Sequence, residues 1–433
     1  MRYRKIDARL FVRNRDRLRK LLAPDSVAVV NANDLMPTNA DGTFLMRPNS
    51  DLFYLTGVEQ EETILLLAPD ASNEKEREIL FLREPNKRLE LWEGHKLSKE
   101  EAREISGIQE VRWLSEFAQT FHRRMCEAEN VYLNANEHPR AVIEVETRDA
   151  RFVRWCRERY PLHQYRRLAP LMHRLRVVKD PIEVELLREA CRITREGFLR
   201  VLGVLRPGMN EMEIEAEYAY EFTRRGARFA YPPIVAAGPN ACALHYMQND
   251  QPCLPGQLVL LDVGAAYANY SADLTRTVPV SGRFTRRQRA VYEAVLRVMR
   301  AMIRAAVPGK LHREWQKEAE LLMFEELVRL GLLRPQEGRN EEARRAAAKK
   351  YFMHGLGHPL GLDVHDVGSM REPFAPGWTL TVEPGIYIPE EGFGVRLEND
   401  VLLTEEGPVD LMADIPVEPE EIETLMAEAR REA

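Results

Sequence analysis

Short apolar runs alternate with longer amphipathic segments through the first part of the chain. Runs rich in aliphatic residues, each bounded by turn residues, predict strands at residues 26–31, 63–67, 78–82 and 130–133. Helical periodicity predicts helices at residues 6–22 and 98–105. Strands that alternate with helices are typical of an open sheet with helices on its faces. We therefore expect an α/β domain over residues 1–175.

The rest of the chain shows long helical patterns followed by strands, and this order occurs twice. In each half the first helix stops at a Pro-Gly pair, Pro207-Gly208 or Pro308-Gly309. The predicted helices are residues 181–204, 211–225, 285–306, 313–330 and 417–431, and the predicted strands are residues 258–263, 272–280, 379–382 and 395–403. The repetition indicates a second domain, residues 176–433, made of two similar halves.

Composition and charge exclude several classes of protein. A chain of 433 residues with a net charge of −6 is long enough for two domains and gives no electrostatic reason to bind nucleic acid or an anionic membrane. The five cysteines form no C-x-x-C pair, which argues against a zinc knuckle or a disulfide framework. The charged N-terminus does not resemble a signal peptide, and no run approaches the roughly 18 apolar residues that span a bilayer. We expect a cytoplasmic protein.

Two aspartates lie in strands that otherwise have the apolar pattern of buried strands. Asp262 ends the run LVLLD, and Asp273 opens the next predicted strand eleven residues later. A short connection would fold these strands antiparallel, so that the two carboxylates face each other. Burying one unpaired carboxylate is costly, and a second one adds repulsion. A divalent cation between them would offset this cost.

The same anomaly returns nearer the C-terminus, after a cluster of histidines. Glu383 ends one predicted strand, and Glu398 lies within another. Before them, three of the ten histidines fall within twelve residues, at His354, His358 and His365. Four carboxylates and one imidazole suit Mn²⁺, Co²⁺, Zn²⁺ or Fe²⁺. Five ligands exceed what one catalytic ion with an open position needs, and they suit two ions bridged by carboxylates.

Each of these residues also has a structural interpretation when it is taken alone. Asp262 could cap a strand or form an ion pair, and Asp273 could belong to a turn. Glu383 precedes a Pro-Gly turn, and Glu398 could pair with Arg396. A lone histidine is more often a structural residue than a ligand. Five unrelated accidents explain the pattern less well than one metal site does.

The motifs around these residues resemble those of the metallopeptidase family that contains aminopeptidase P, prolidase and methionine aminopeptidase. They are LLDVG and SADLTRT around the two aspartates, HGLGHPLGLDVHDVG from His354, TVEPGIYI from Thr381 and GVRLEND from Gly394. The resemblance implies a C-terminal pita-bread domain, which is a two-halved α/β fold, behind an N-terminal creatinase/aminopeptidase P-like α/β domain. It also implies peptide hydrolysis by a hydroxide that bridges two metal ions.

The same resemblance implies a role for each ligand. Asp262 would bind one ion, while Asp273 and Glu398 would bridge both. His358 and Glu383 would bind the second ion. Glu383 would also carry the proton from the hydroxide to the leaving nitrogen.

Further residues resemble groups that contact the substrate in this family. His245 resembles the histidine near the scissile bond. His354 and His365 resemble the pair that supports the proline side and the developing oxyanion. Arg396 would orient site carboxylates or bind the far end of the substrate. Pro359 stands where many relatives have an aromatic residue, a departure that bears on the shape of the pocket.

Within this family the chain most resembles the aminopeptidase P subgroup, which removes the first residue of peptides whose second residue is proline. Three segments outside the metal site carry this resemblance: residues 46–57 (MRPNSDLFYLTG), the LWEG segment around Trp92 and the domain junction at residues 186–197. In the subgroup, the LWEG segment can reach a neighbouring subunit's site. The resemblance implies two manganese ions, with cobalt, zinc or iron also permitted by the ligands, and a homodimer or homotetramer.

Three alternatives stay open. Prolidase would use the same metal chemistry but would cleave only Xaa-Pro dipeptides. Methionine aminopeptidase is disfavoured because it usually lacks a large N-terminal domain. A creatinase-like protein or a binding module without metals is disfavoured because all five ligand residues are present.

Overall fold

The computed structural model describes residues 2–432, apart from the side chains at positions 89 and 432. Contacts between residues divide the chain into two compact units. The N-terminal unit is Lys5–Arg176, and the C-terminal unit is Val177–Ala433 together with Met1–Arg4. Among the described residues, no helix has both the length and the apolar composition needed to cross a membrane.

Within residues 5–176, all of which have a described backbone, six strands form one sheet. They are β1 Ser26–Asn31, β2 Ile64–Leu67, β3 Glu78–Leu82, β4 Glu110–Trp113, β5 Asn130–Leu133 and β6 Gln164–Arg167. Their order across the sheet is β4-β3-β2-β1-β5-β6. Strand β2 runs antiparallel to β1 and β3, whereas the other neighbouring pairs are parallel. The predicted α/β fold of this part is confirmed.

Some helices of this unit begin and end at recognisable capping residues. They are α1 Arg9–Arg19, α2 Ser50–Thr56, α3 Lys87–Glu93, α4 Lys99–Ser106, α5 Phe117–Glu127, α6 Arg148–Arg159 and α7 Ala169–Arg176. Before α4, Ser98 and Glu101 form a reciprocal capping box. Helix α2 begins after Asn49 and ends at Gly57, whose φ of +68° is the left-handed conformation that glycine adopts easily.

The central strands of the sheet are buried, whereas its edge strands are polar. Strands β1, β2 and β5 bury every residue. Edge strand β6 reads QYRR, and most of its residues are exposed. Charged edges discourage pairing with other chains. Because β4 and β6 lack an apolar pattern, the sequence predicts the four inner strands and misses these two.

The long helices of the C-terminal unit come in two pairs. The helices are α8 Pro181–Val204 and α9 Glu211–Arg224, then α10 Arg286–Ala305 and α11 His312–Arg329, and finally α12 Glu341–Ala348 and α13 Pro419–Glu432. Helix α8 begins at Pro181, as predicted, with Asp180 and Glu183 forming a capping box.

Each helix pair is followed by a three-stranded antiparallel sheet. The strands are β7 Arg228–Phe229, β8 Ile234–Ala237, β9 Leu258–Asp262, β10 Ala265–Tyr267, β11 Tyr270–Ser271, β12 Thr275–Pro279, β13 Thr379–Val382, β14 Gly385–Ile388, β15 Phe393–Arg396, β16 Asn399–Thr404 and β17 Gly407–Asp410. The sheet that follows the first helix pair has the order β12-β9-β8, and the sheet that follows the second pair has the order β13-β16-β17. The other five of these strands form two further antiparallel sheets, β11-β10-β7 and β14-β15. The predicted two-halved architecture is therefore confirmed.

The connection between β9 and β12 is more structured than predicted. It contains a hairpin of β10 and β11, whose turn residues Ala268 and Asn269 have φ angles of +49° and +67°. Two consecutive left-handed residues are typical of the tight turn that matches strand twist. The predicted strand at residues 272–280 is therefore shorter, and Asp273 lies two residues before β12 begins.

The prediction of one strand over residues 395–403 is wrong. The structure divides this stretch into β15 and β16, which belong to different sheets. Between them, Glu398 forms an isolated bridge with Thr275 of the first half. Because the chain changes sheets at Glu398, this side chain can reach residues of the other half.

Candidate metal centre and active site

Three of the predicted ligands come together between the two halves of the C-terminal unit. One ligand atom from each of Asp273, His358 and Glu398 lies within 4.8 Å of the others. All three residues are buried. Asp273 precedes β12, His358 lies on the loop before β13, and Glu398 links β15 to β16. Three distant chain segments thus deliver two carboxylates and one imidazole to one place.

Asp262 joins this cluster through the hydroxyl of Tyr231. The Tyr231 oxygen lies 2.7 Å from Oδ1 of Asp262 and 2.5 Å from Oδ1 of Asp273. In the paired strands, however, Asp262 faces Thr275. The expectation that the two aspartates face each other across paired strands is therefore wrong. Asp273 lies two residues before β12 begins, and both carboxylates contact the hydroxyl of Tyr231.

Glu383 borders the cluster directly after β13. Its Oε1 lies 3.6 Å from Nε2 of His358, and its Oε2 lies 3.8 Å from Nδ1 of His354. Its side chain is 20% exposed, compared with 13% for Asp262 and 8% for Asp273. Glu383 is therefore the carboxylate of the group with the best access for a substrate.

The buried carboxylates repel one another. Burial, followed by the charge of Asp262, raises the pKa of Asp273 well above its ordinary value. Burial and then the charge of Asp273 raise the pKa of Glu398 in the same way. Burial and both aspartates also raise the pKa of Tyr231, which keeps its hydroxyl a donor. Desolvation and repulsion favour the protonated form of these acids, whereas a divalent cation would favour the ionised carboxylates and lower their pKa values.

Arg396 is a buried cation whose guanidinium contacts three groups. It donates to Oδ2 of Asp262 at 2.5 Å, to the hydroxyl of Tyr387 at 2.8 Å and to Oγ1 of Thr275 at 3.2 Å. The Thr275 hydroxyl in turn donates to Oε2 of Glu398 at 2.6 Å. These contacts favour the role of orienting site carboxylates over that of binding the far end of a substrate.

His354 continues the hydrogen-bonded chain that begins at Arg396. The Tyr387 hydroxyl lies 2.7 Å from Nε2 of His354, and Nδ1 lies 2.8 Å from the carbonyl oxygen of Gly355. Because a carbonyl oxygen can only accept, Nδ1 carries the proton and Nε2 accepts from the tyrosine. Burial, together with the charge of Arg396, lowers the pKa of His354 to about 3. His354 is therefore neutral, with both ring nitrogens in hydrogen bonds.

The tautomer of His358 suits a metal ligand. Its Nδ1 lies 3.0 Å from the carbonyl oxygen of Pro359, so that this nitrogen carries the proton. The lone pair of Nε2 then points towards Asp273 and Glu383, which lie 3.6 Å away. A histidine whose other nitrogen donates to a carbonyl oxygen is the usual arrangement in metal sites. The donor set as a whole therefore fits divalent metal ions.

His365 lies beside His358 on an anchored loop. The two imidazole rings are 4.3 Å apart and meet edge to face at 84°. Next to His365, Asp366 forms an ion pair with Lys179 at 3.2 Å, in which both side chains are 1% exposed. At the other side of the loop, the carbonyl oxygen of His358 accepts from the backbone N–H of Thr381 at 2.9 Å.

His245 differs from the other predicted residues because it is exposed. It lies on the loop after β8, and its charge contributes to the lowered pKa of His354, after burial and Arg396. The flanking Leu244 and Tyr246 pack against a hydrophobic cluster that includes Tyr387. The structure thus does not bring His245 into the cluster of ligand atoms.

Sequence reasoning misses the residues that hold the ligands in place. Tyr231 and Tyr387 carry no distinguishing signal, since tyrosine is common in protein cores. Thr275 and Asp400 carry a weak one, because each is a polar residue in a buried strand next to a predicted ligand. Oδ2 of Asp400 accepts the backbone N–H of Asp273 at 3.0 Å and so fixes the chain at that ligand.

The chain matches two known family models, one in each of its two compact units. Residues 11–132 match the aminopeptidase P N-terminal domain, and residues 185–405 match metallopeptidase family M24. The chain is 36% identical to a Xaa-Pro aminopeptidase of Escherichia coli (strain K12) over 98% of each chain. It is 32% identical to Xaa-Pro aminopeptidase 3 of Homo sapiens over 94% of this chain and 82% of that protein.

Solved structures agree with the sequence relatives. A zinc-substituted aminopeptidase P of Escherichia coli in complex with product shares 35% identity and a TM-score of 0.87, over 99% of this chain and 100% of that one. The same enzyme with the inhibitor Pro-Leu shares 34% identity over the same extent. Similarity of this degree over nearly the whole of both chains shows more than a shared fold. The chain therefore belongs to metallopeptidase family M24 and, within it, to the aminopeptidase P group of metal-dependent aminopeptidases.

Proposed function

We propose that the protein is a Xaa-Pro aminopeptidase that releases the first residue from peptides with proline in the second position. The observation that carries the proposal is the convergence of Asp273, His358 and Glu398 within 4.8 Å in a chain of this group. Relatives with 32–36% identity bear the name Xaa-Pro aminopeptidase, and one solved relative holds the inhibitor Pro-Leu. Both findings support specificity for proline.

Two divalent ions are proposed to bind at Asp262, Asp273, His358, Glu383 and Glu398. Bound there, they would supply an activated water and polarise the peptide carbonyl. Of the ions that this donor set accepts, we propose manganese, with cobalt, zinc and iron as comparisons. The zinc-substituted relative makes zinc a necessary arm of any metal assay.

Glu383 is proposed to move the proton in this reaction. It is the most exposed of the proposed ligands, and its Oε2 is directed towards His354. The carboxylate would accept a proton from the attacking water and deliver it to the nitrogen of the departing proline. An amide nitrogen is too basic to leave as an anion, so the departing amine requires a delivered proton.

His245, His354 and His365 are proposed to face the substrate. In the structure both ring nitrogens of His354 are engaged, with Gly355 and Tyr387. A contact between His354 and a substrate would therefore replace one of these two hydrogen bonds. Arg396 is proposed to orient Asp262 from behind the site.

We further propose a cytoplasmic homodimer or homotetramer whose chains have domains at residues 1–175 and 176–433. The side chain of Trp92 on α3 is 79% exposed, and tryptophan is enriched at protein interfaces. Light scattering coupled to size-exclusion chromatography would report the number of chains. A mass that corresponds to one chain would contradict this part of the proposal.

The test of function is hydrolysis of three peptides by the manganese-loaded protein: Arg-Pro-Pro, Ala-Pro and Met-Ala-Ser. We expect metal-dependent release of free arginine from Arg-Pro-Pro. The variant Glu383→Ala should lose this activity while it remains folded. The matched control is Glu390→Ala, which alters an exposed glutamate seven residues later and should leave the rate unchanged.

Each other outcome has a definite meaning. Cleavage of Ala-Pro alone would show a pocket that is closed beyond proline, which is the behaviour of a prolidase. Preference for Met-Ala-Ser would assign a methionine aminopeptidase. A protein that binds metal and cleaves none of the three peptides would refute the proposal and favour a creatinase-like or binding role.

A further inference from the structure

Glu211 is a fully buried carboxylate that the proposed chemistry does not use. It is the first residue of α9, and none of its surface is exposed. Its Oε1 accepts from the backbone N–H of Ala237 at 2.8 Å and from Nδ2 of Asn240 at 3.0 Å. Its Oε2 accepts from the hydroxyl of Tyr246 at 2.8 Å and from the backbone N–H of Gln251 at 2.9 Å. All four donors belong to the segment of residues 237–251.

This segment carries His245. Its two ends converge on one side chain, because the N–H groups of Ala237 and Gln251 both donate to Glu211. The ends are tied a second time, since the backbone N–H of Glu211 donates to the carbonyl oxygen of Gln251 at 2.9 Å. Within the segment, Asn240 and Tyr246 add one side-chain bond each. One carboxylate therefore closes the loop and holds it at two internal points.

The arrangement needs a carboxylate in particular. Four donors take up the acceptor positions of both oxygens, and an ionised carboxylate offers acceptors alone. A glutamine at position 211 would direct its NH₂ group at one backbone N–H in either orientation, that of Ala237 or that of Gln251. Opposed donors in a buried site leave at least one group unsatisfied, which is costly.

The loop is coupled to the active site at Tyr246. The ring of Tyr246 packs against the hydrophobic cluster that contains Tyr387, while its hydroxyl is fixed by Glu211. The Tyr387 hydroxyl contacts both His354 and Arg396. Because His245 immediately precedes Tyr246 in the chain, the position of His245 depends on the side chain that Glu211 holds.

We propose that Glu211 is a positioning residue for the reaction, which acts by holding the segment that carries His245. The inference rests on the proposed function, in which His245 contacts the substrate near the scissile bond. Glu211 itself touches no reacting atom. Its removal should therefore affect the reaction only through His245.

The test is a double-mutant cycle with Glu211→Gln, His245→Ala and the combined variant. Initial rates with Arg-Pro-Pro and manganese are measured below the lowest unfolding midpoint of the set. A matched control is Glu215→Gln, one turn later on α9. Glu215 accepts from Asn249 of the same segment at 2.9 Å, and glutamine keeps an acceptor for that bond. Hydrogen exchange of residues 237–251 is measured in parallel.

We expect Glu211→Gln to lower kcat about 100-fold with little change in KM, because a misplaced group near the scissile bond costs transition-state binding. The combined variant should lie within about threefold of His245→Ala, since two residues that act as a unit are not additive. Amides of the segment should exchange faster in Glu211→Gln, and Glu215→Gln should behave as wild type.

Additive losses in the cycle would overturn the inference, because Glu211 would then act independently of His245. A fully active His245→Ala variant or an unchanged exchange profile in Glu211→Gln would do the same. If Glu211→Gln does not fold, Tyr246→Phe replaces it, since that variant keeps the packed ring and removes one of the four bonds. A wild-type protein that cleaves no peptide would refute the proposed function, whereas exchange would still decide whether Glu211 holds the segment.

Discussion

The ion pair between Lys179 and Asp366 allows a quantitative test of how the histidine loop is held. Both side chains are 1% exposed, and Nζ lies 3.2 Å from Oδ2. Asp366 follows His365 directly, and its backbone N–H donates to the carbonyl oxygen of Pro359 at 2.9 Å. The substitution Lys179→Met keeps most of the aliphatic stem and removes the charge. The carboxylate of Asp366 then stays buried without this cation.

Removing one partner of a buried ion pair costs about 3–5 kcal/mol, because the remaining charge is desolvated and uncompensated. In a unit of about 250 residues, 1 kcal/mol moves the unfolding midpoint by about 2–4 °C. Burial raises the pKa of Glu183 to about 7, and the charge of Lys179 limits that rise, so Glu183 also loses stabilisation. We therefore expect Lys179→Met to lower the midpoint of the C-terminal unit by on the order of 10 °C.

Differential scanning calorimetry of the metal-saturated protein measures this shift. The double variant Lys179→Met/Asp366→Asn should recover part of the loss, since it removes both charges. Asparagine at 366 keeps an acceptor for the backbone N–H of Val367, which lies 2.9 Å from Oδ1. The control is Lys310→Met. The ion pair of Lys310 with Glu318 is partly exposed and should contribute less than about 1 kcal/mol to the free energy of unfolding.

Two results would refute this reasoning. A midpoint for Lys179→Met that matches the Lys310→Met control would mean that the buried charge is compensated in another way. A double variant that is no more stable than Lys179→Met would mean that the loss comes from packing and not from the unpaired carboxylate.

Three further predictions concern pH, a site tyrosine and the metal. The folded-state pKa of Glu183, about 7, lies above the ordinary value of 4.5. The stability that the protonated side chain contributes is therefore fully present below pH 4.5 and is lost as the pH rises through 7. In denaturant titrations the free energy of unfolding of Glu183→Gln should therefore rise relative to that of wild type by up to about 3 kcal/mol between pH 5 and pH 8. Parallel pH profiles of the two proteins would contradict this. Tyr231→Phe removes the donor shared by Asp262 and Asp273 and should weaken manganese binding about 10–100-fold in calorimetric titration, whereas unchanged affinity would assign the hydroxyl no role. Chelation should lower the unfolding midpoint of the wild-type C-terminal unit, and manganese should restore it. The shift should be smaller in Asp273→Asn, and a midpoint insensitive to chelator would argue against a bound metal.

Much of the local structure can be predicted from the sequence because its causes are local. The boundary of α8 follows from Asp180, Pro181 and Glu183, which cap the helix within one turn. Several buried strands, such as β2 and β9, follow from uninterrupted apolar runs. The edge strands β4 and β6 do not, because polar residues at a sheet edge carry the same pattern as a loop.

The ligand residues could be proposed from the sequence for a related reason. A carboxylate inside an apolar strand, such as Asp262, violates the burial rule that governs its neighbours, and the violation is visible without a fold. Resemblance to a family then supplied the roles that spacing alone leaves open. It did not supply the hydrogen-bonded chain from Arg396 through Tyr387 to His354, since the residue that links the two ends, Tyr387, resembles an ordinary core tyrosine.

The sequence by itself determined the long helices and several of the buried strands, and it showed which acidic residues are out of place. The tertiary structure decided which of these residues meet. Glu398 reaches Asp273 because the chain changes sheets between β15 and β16, and Glu211 closes the loop of His245 because four donors converge on it. Such contacts join residues that are far apart in the chain, and their energy depends on exact distance and burial. A local pattern contains neither quantity, so only the folded chain could reveal them.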